Sequence, residues 1–266
     1  MRALRACVSR DLRVAWSYRL SFFTQYGSMI FTLLSTRFVA ELFRGNAPTE
    51  LAPYGDDYFS FALLGVGLSL LTYPAVKTFA AGVRGAQVTG TLEAILVTRA
   101  NPLAVIVGMG LYPTISVVVE FLLLVVLGGT VMGAHYRLAN LGLVVVVLLL
   151  AMAALAGIGL MSAAFVLAFK QNEPFTGGLV MLSMLLSGSL YPVSVLPSWL
   201  VPVAQLLPTT HAIELMRAVF LVRARLETLF VHTVSLMLFT LLLPVGLLTL
   251  SWALRYARRT GSLSQY

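Results

Sequence analysis

Residues 141–169 read LGLVVVVLLLAMAALAGIGLMSAAFVLAF, and no charged residue stands between Arg137 and Lys170. A helix needs about 20 consecutive apolar residues to cross the hydrocarbon core of a bilayer, and nothing interrupts this stretch. In water such a run has no wet face. In lipid a helix closes its backbone hydrogen bonds within itself, which is the condition for spanning. The stretch predicts a transmembrane helix.

Working outward, further apolar segments occupy 22–43, 58–79 and 103–132 on the N-terminal side, and 175–190 and 228–254 on the other. The first is impure, since it holds Arg37 and Glu41. Between the segments lie a proline-bearing loop at Arg44–Asp57, a polar stretch with Lys77, Arg84, Gln87, Glu93 and Arg99, a short loop with His135 and Arg137, and a turn at Lys170–Pro174. The fold class expected is an all-α integral membrane protein of six transmembrane helices, a single domain over 1–266. Residues 1–20 carry Arg2, Arg5, Arg10, Arg13 and Arg19, with Leu4, Cys7, Val8, Leu12, Val14 and Trp16 at roughly helical spacing. That pattern suits an interfacial helix, apolar side toward lipid and arginines toward phosphates; an ordinary basic leader before the first span is the alternative. A cleavable signal is not expected, because the basic stretch is too long and no small-residue cleavage site follows a brief apolar core.

Composition supports the same class. Of 266 residues 59% are hydrophobic and 11% charged, against about 25% charged in soluble domains. The mean hydropathy is +0.92. The net charge of +8 sits at the edges of apolar runs, where it reads as a topology signal rather than a nucleic-acid surface. A single cysteine, Cys7, rules out a disulfide within the chain, and His135, His211 and His232 stand far apart in sequence, so no metal site is expected.

From Pro174 to Ile213 there is no charged residue, too long a run for one crossing. Prolines at 192, 197, 202 and 208 forbid a continuous helix. The expectation is a span over 175–190 and then a broken, re-entrant segment over 191–222. A full extra crossing would carry Arg255, Arg258 and Arg259 to the outer side and weaken the bias of basic residues toward the cytoplasm. Six spans put both ends in the cytoplasm, while leaving Arg217, Arg223 and Arg225 on the outer side with no physical account.

No phosphate-cradling loop of the G-x-x-x-x-G-K-[ST] kind is present, and no catalytic constellation stands out, so no catalytic residue is assigned and any ATP-driven work needs a separate partner. Two stretches are distinctive. One is Arg84-Gly-Ala-Gln-Val-Thr-Gly-Thr-Leu-Glu-Ala-Ile-Leu-Val-Thr98. The other is Ser187-Gly-Ser-Leu-Tyr-Pro-Val-Ser-Val-Leu-Pro-Ser-Trp-Leu, followed by Leu207-Pro-Thr-Thr-His-Ala-Ile-Glu-Leu-Met-Arg217. Together they resemble the membrane subunit of ABC-2 type exporters, a family that includes drug-efflux (daunorubicin-type), polysaccharide-export and lipid-export permeases. The resemblance covers essentially the whole chain.

It implies that the loop after the second span, 84–98, forms a coupling helix docking in a groove of an ABC ATPase subunit, with Arg84, Thr91, Leu92, Glu93, Ile95 and Leu96 as contacts. Docking of this kind uses apolar residues to fill a groove and charges to fix orientation; the plain alternative is an amphipathic turn resting on headgroups. It also implies that the segment holding Tyr191, Pro192, Pro197, Trp199 and Pro208 closes the outer end of the pathway, although Tyr191 and Trp199 suit lipid anchoring equally. The chain then carries no cofactor; ATP and Mg belong to the partner ATPase. The other partners are a second permease copy or a homologue, and membrane lipid. The place is the bacterial inner membrane, the direction export, and the cargo amphipathic: a drug, a lipid or a lipid-linked glycan.

Glu120 lies inside an apolar segment, where a carboxylate is costly unless paired or wetted. At 1.5 Å per residue it sits about 26 Å from Leu103, and Arg37 about 24 Å from Ser21. Similar depth predicts an Arg37–Glu120 pair, with Glu41, one turn along, as the competing partner for Arg37. Small residues at Gly65–Gly67 and Ala154–Gly159 predict close helix approach, against a neighbour or a second protomer. Rival classes are an ion-gradient transporter, which would show paired broken helices, and a membrane scaffold without transport.

Overall fold

A computed structural model of the chain describes residues 13, 19–43, 48–55, 57–98, 101–137, 141–169, 175–221 and 226–259. The expected interfacial helix over 1–20 and the turn at Lys170–Pro174 lie outside the described residues, apart from Arg13 and the helical residues from Arg19 on. Among the described residues every regular element is helical. They are α1 (Arg19–Glu41), α2 (Tyr58–Val88), α3 (Thr91–Val97), α4 (Pro102–Thr130), α5 (Leu141–Phe169), α6 (Phe175–Leu186), α7 (Val201–Gln205), α8 (Pro208–Phe220), α9 (Leu226–Thr240) and α10 (Leu242–Arg259), with short 3-10 turns at Thr49–Tyr54 and Val193–Val195.

Four helical stretches are long and apolar enough to cross a membrane: Tyr58–Val88, Pro102–Thr130, Leu141–Phe169 and Leu229–Arg259. α1 is long enough but is not among them, being diluted by Gln25, Arg37 and several hydroxyls. α6 is apolar but only 12 residues long. Three boundaries differ from expectation. α2 runs to Val88 rather than ending near 79, because nothing between Phe79 and Val88 breaks a helix and polar residues alone do not. α6 stops at Leu186, and the backbone turns at Gly188, whose φ is +77°. The stretch 228–254 is two helices, since Pro244 has no N–H to give the Thr240 carbonyl and crowds it.

The prolines of the charge-free region fall where proline is tolerated. Pro192 precedes the 3-10 turn, Pro202 lies in the first turn of α7, and Pro208 opens α8.

α2 is the axis of the packing. One core layer joins its Leu64–Val76 half to Val117 and Phe121 of α4, Val144–Leu155 of α5, Ile213 and Met216 of α8, and Leu236 of α9. A second joins Phe79, Val83 and Ala86 of α2 to Ile106 of α4, Leu160–Leu167 of α5, Leu250–Ala257 of α10, and Leu92 of α3. The small residues of α5 are used within the chain. A Cβ on Gly157 would lie 2.3 Å from the Leu242 carbonyl carbon, and one on Gly159 2.8 Å from the Val76 carbonyl oxygen. α5 thus touches α10 and α2 backbone to backbone, as small residues permit between apolar helices.

Candidate functional site

Two parts stand out: a short helix mounted at one end of α2, and a buried arginine that seats the proline-rich segment near the other end.

α2 ends at Val88 with Thr89 as its cap, and Gly90 turns the chain with φ +67°, a left-handed conformation that a residue with a Cβ adopts at a cost of about 1–2 kcal/mol. α3 follows at once. The Thr91 hydroxyl meets that of Thr89 at 2.9 Å and donates to the Ala86 carbonyl at 3.4 Å. Thr98 closes the far end, its hydroxyl donating to the Ile95 carbonyl at 2.7 Å. Asn101 then accepts from the Leu103 N–H at 3.0 Å and starts α4. Leu92, expected on a partner-facing side, is buried instead in the chain's own core beside Val83, Ile106 and Leu254. It anchors α3. The outward side carries Thr91, Ala94 and Val97, the last 87% exposed, with Ile95 half-buried. The side chains of Glu93 and Leu96 lie outside the described residues. Arg84 belongs to α2, about one turn before its end, and not to the short helix.

Arg217 is the residue that sequence reasoning left without an account. It is 0% exposed. Its Nε and Nη2 donate to the Phe61 carbonyl at 3.3 and 3.2 Å, Nη2 donates also to the Ser189 carbonyl at 3.0 Å, and Nη1 to Glu214 Oε1 at 3.3 Å. The guanidinium lies 3.4 Å from the centroid of the Phe61 ring. Glu214 takes a further bond from the Tyr54 hydroxyl at 2.9 Å. Burial, and then the Glu214 carboxylate, push the Tyr54 phenol above its ordinary range and keep it a donor. Gly65 makes the approach possible, since a Cβ there would lie 2.1 Å from the Ser189 oxygen and 2.5 Å from Arg217 Nη2. A signal for this arrangement stands in the sequence: Glu214 and Arg217 are the first charges after the long neutral run, and their i, i+3 spacing is that of a helical ion pair.

Irregular backbone shielded from water must find its hydrogen bonds in protein. The stretch after α6 does so through side chains. Arg217 takes the Ser189 carbonyl, the Tyr58 hydroxyl donates to Leu190 O at 3.2 Å, the Tyr191 hydroxyl donates to Leu185 O, and the Ser189 hydroxyl to Met184 O at 3.0 Å. Pro192 and Pro208 are buried, while Pro197 is exposed and Trp199 is 72% exposed. The structure therefore brings Tyr191, Pro192 and Pro208 onto the folded body and leaves Pro197 and Trp199 at its surface.

Arg37 and Glu120 are not brought together as an ion pair. Arg37 pairs with Glu41 at 3.6 Å and lies 5.3 Å from the Phe59 ring centroid. Glu120 lines a separate cleft of about 190 Å³ with Ser28, Thr32 and Gly67. Position along a helix leaves the direction around its axis free, and a shared depth therefore does not make a pair. Two of the histidines, far apart in sequence, are neighbours in the fold. His211 and His232 meet with Nδ1 atoms 2.9 Å apart, and His211 Nε2 lies 2.9 Å from the Gln205 carbonyl. A carbonyl only accepts, so His211 Nε2 carries a proton. In neutral His211 Nδ1 is then the acceptor, and His232 Nδ1 donates. The pair ties α8 to α9. Among the described residues no group of three or more metal-ligating side chains occurs.

A family model described as ABC-2 type transporter matches residues 2–221. The chain belongs to that family. As an ABC-2 permease it is a membrane subunit for transport and not itself a catalyst, and such permeases typically work with ABC ATPase partners. The match takes in α1 through α8 and both distinctive stretches, and stops before α9. A comparison with curated proteins gives no match.

Proposed function

We propose that the chain is the permease subunit of an ATP-driven exporter, forming the pathway as a dimer and docking separate ATPase subunits through α3. The mounting of α3 carries this reading. It is a short helix at the end of a helix about 46 Å long, which exceeds the roughly 30 Å hydrocarbon core. Its Leu92 is locked into the core while Val97 and Ala94 face outward. A push on such a helix is passed to α2 and α4 together, because it turns directly out of α2 at Gly90 and its Leu92 packs in one cluster with Val83 of α2 and Ile106 of α4. ATP and Mg are bound by the partner, and the cargo is amphipathic: a drug, a lipid or a lipid-linked glycan.

In this reading the chain crosses the inner membrane six times with both ends in the cytoplasm. Residues 1–20 lie along the interface, and 191–222 re-enter from the outer side. The burial of Arg217 supports the topology. A guanidinium satisfied by Glu214 and two carbonyls is not a loop charge, so it drops out of the inside–outside balance that it had blemished.

The test is co-purification with an ATPase encoded beside this chain, and ATPase activity with and without Glu93→Ala. The reading expects a complex whose transport-coupled ATPase activity falls at least several-fold in the variant. No association, together with no effect of Glu93→Ala, would sink it.

A further inference from the structure

The end of α10 carries Arg255, Arg258 and Arg259, and all three are exposed. Burial of Leu250, Ala253, Leu254 and Ala257 fixes how the helix is turned. Leu250, Leu254 and Arg258 follow one another at steps of one helical turn, so they form one row. The row is apolar while it faces the core and ends on an arginine where the core ends. Arg255 and Arg259 form the neighbouring row. Leu254 and Ala257 share a buried cluster with Leu92 of α3 and with Val83 and Ala86 of α2. Arg258 therefore emerges one turn beyond Leu254, on the side of α10 that this cluster occupies.

α5 relates the level of α10 to that of α2. A Cβ on Gly157 would lie 2.3 Å from the Leu242 carbonyl carbon, and one on Gly246 lies 2.4 Å from the Gly157 oxygen and 3.0 Å from the Leu160 Cβ. On the other side, a Cβ on Gly159 would lie 2.8 Å from the Val76 oxygen, and the Gln87 amide donates to the Val166 carbonyl at 3.5 Å. The three helices thus run the same way, and the register puts Arg259 level with Gln87 to within about one turn.

Gln87 is about 44 Å along α2 from Tyr58, whereas a bilayer is about 30 Å thick across its hydrocarbon and about 40–45 Å with its headgroups. In the same register Trp252 and Tyr256 fall in the headgroup layer. Both are exposed, with rings stacked 5.6 Å apart between centroids, as suits amphipathic aromatics at an interface. Arg258 and Arg259 come after them, at the water side of the headgroups and level with the turn from which α3 leaves. We propose that Arg258 and Arg259 form a charged rim to the docking surface whose apolar centre is α3, and that this rim meets carboxylates of the same ATPase subunit. The inference rests on the docking and topology proposed above. Protein interfaces combine a buried apolar centre with a solvated polar rim. α3 turns Ala94 and Val97 outward, and α10 sets its arginines beside them. Depth selects a protein occupant over lipid, because the two arginines stand past the aromatic pair. Their charge selects an acidic one.

Binding of the ATPase encoded beside this chain, to the full chain held in nanodiscs of phosphatidylcholine alone, reads the rim directly. The Arg258→Gln, Arg259→Gln double variant is expected to bind about fivefold more weakly at low salt, chiefly through a slower on-rate, and to lose most of the salt dependence of wild type. Lysine at both positions keeps affinity and salt dependence, since a solvated rim needs the charge and not the planar fork. Arg137→Gln, exposed at the opposite end of the molecule, changes neither. A double variant that binds as wild type does overturns the rim and leaves the docking of α3 standing. A loss of affinity seen only after phosphatidylglycerol is added to the discs also overturns it, because the arginines then act through lipid phosphates. If wild type binds no ATPase at all, the docking reading fails and the rim fails with it.

Discussion

Taking Arg217 to alanine would leave Glu214 a nearly buried carboxylate held only by Tyr54, and would strip the Ser189 carbonyl of its arginine donor and the Phe61 carbonyl of the bonds it accepts beyond those of α2. Breaking a buried pair from one side costs about 3–5 kcal/mol, so Arg217→Ala should lower the thermal midpoint of the purified protein sharply. Lysine should rescue little, because a single ammonium lacks the planar fork that reaches three acceptors. Replacing Glu214 and Arg217 together by methionine should not restore stability either, since the Ser189 carbonyl, in irregular backbone, stays without its arginine donor; a double variant as stable as wild type would show that the backbone contacts contribute nothing. A gentler readout lies at Asp57, which caps α2 by accepting from the Phe59 and Ser60 N–H groups at 3.1 and 3.4 Å. Burial alone would raise its carboxyl, but hydrogen bonds from Ser60 and His135 prevail and hold it below its ordinary value of 3.8. A lowered carboxylate stabilises the fold above its ordinary range, and that contribution is lost as pH falls through the lowered value. Midpoints of wild type and Asp57→Asn should therefore differ at neutral pH and converge in acid. At this scale the sequence was only partly legible. Hydropathy marks a charge as inside or outside the membrane, and Arg217 is neither: three of its acceptors come from residues 3, 28 and 156 positions away, and no local pattern encodes such a meeting.

The helices were more legible than their ends. Proline announced the breaks after α6, because a missing N–H acts locally. The break between α9 and α10 was hidden, since averaging hydropathy over 228–254 passes across Pro244 without a dip. α2 was cut short for the opposite reason: Lys77, Arg84 and Gln87 suggested a loop, yet helix continues through polar residues until a turn ends it at Gly90. Two predictions belong to these elements. Leu92→Ala empties a buried site between α3, α2 and α10, with a cost of about 2–5 kcal/mol for such truncations. In the complex it should uncouple ATPase activity from transport while the partner still binds, measured as ATPase activity without cargo movement. Gly246→Val should separate α10 from α5, because a Cβ there already lies 2.4 Å from the Gly157 oxygen. A disulfide placed between the two helices at the opposite end should form less readily in that variant than in wild type.

Across the whole molecule, burial is uneven. α2 takes part in both core layers, whereas α1 packs mainly on α2 and α4 and leaves Phe31, Phe38 and Leu42 exposed. Local opening follows contact density, so amides of α1 should exchange hydrogen well before those of the Leu63–Val76 part of α2; similar protection in both would mean that another surface covers α1. The clip around Arg217 also bears on how the protein is made. Tyr54, Phe61, Ser189 and Glu214 all precede Arg217 in the chain. When the ribosome adds this arginine, every group that will receive it has already been synthesised. The charge need never wait for a partner still to come, and its docking can serve as the closing step in assembling the end of the molecule where α2 begins.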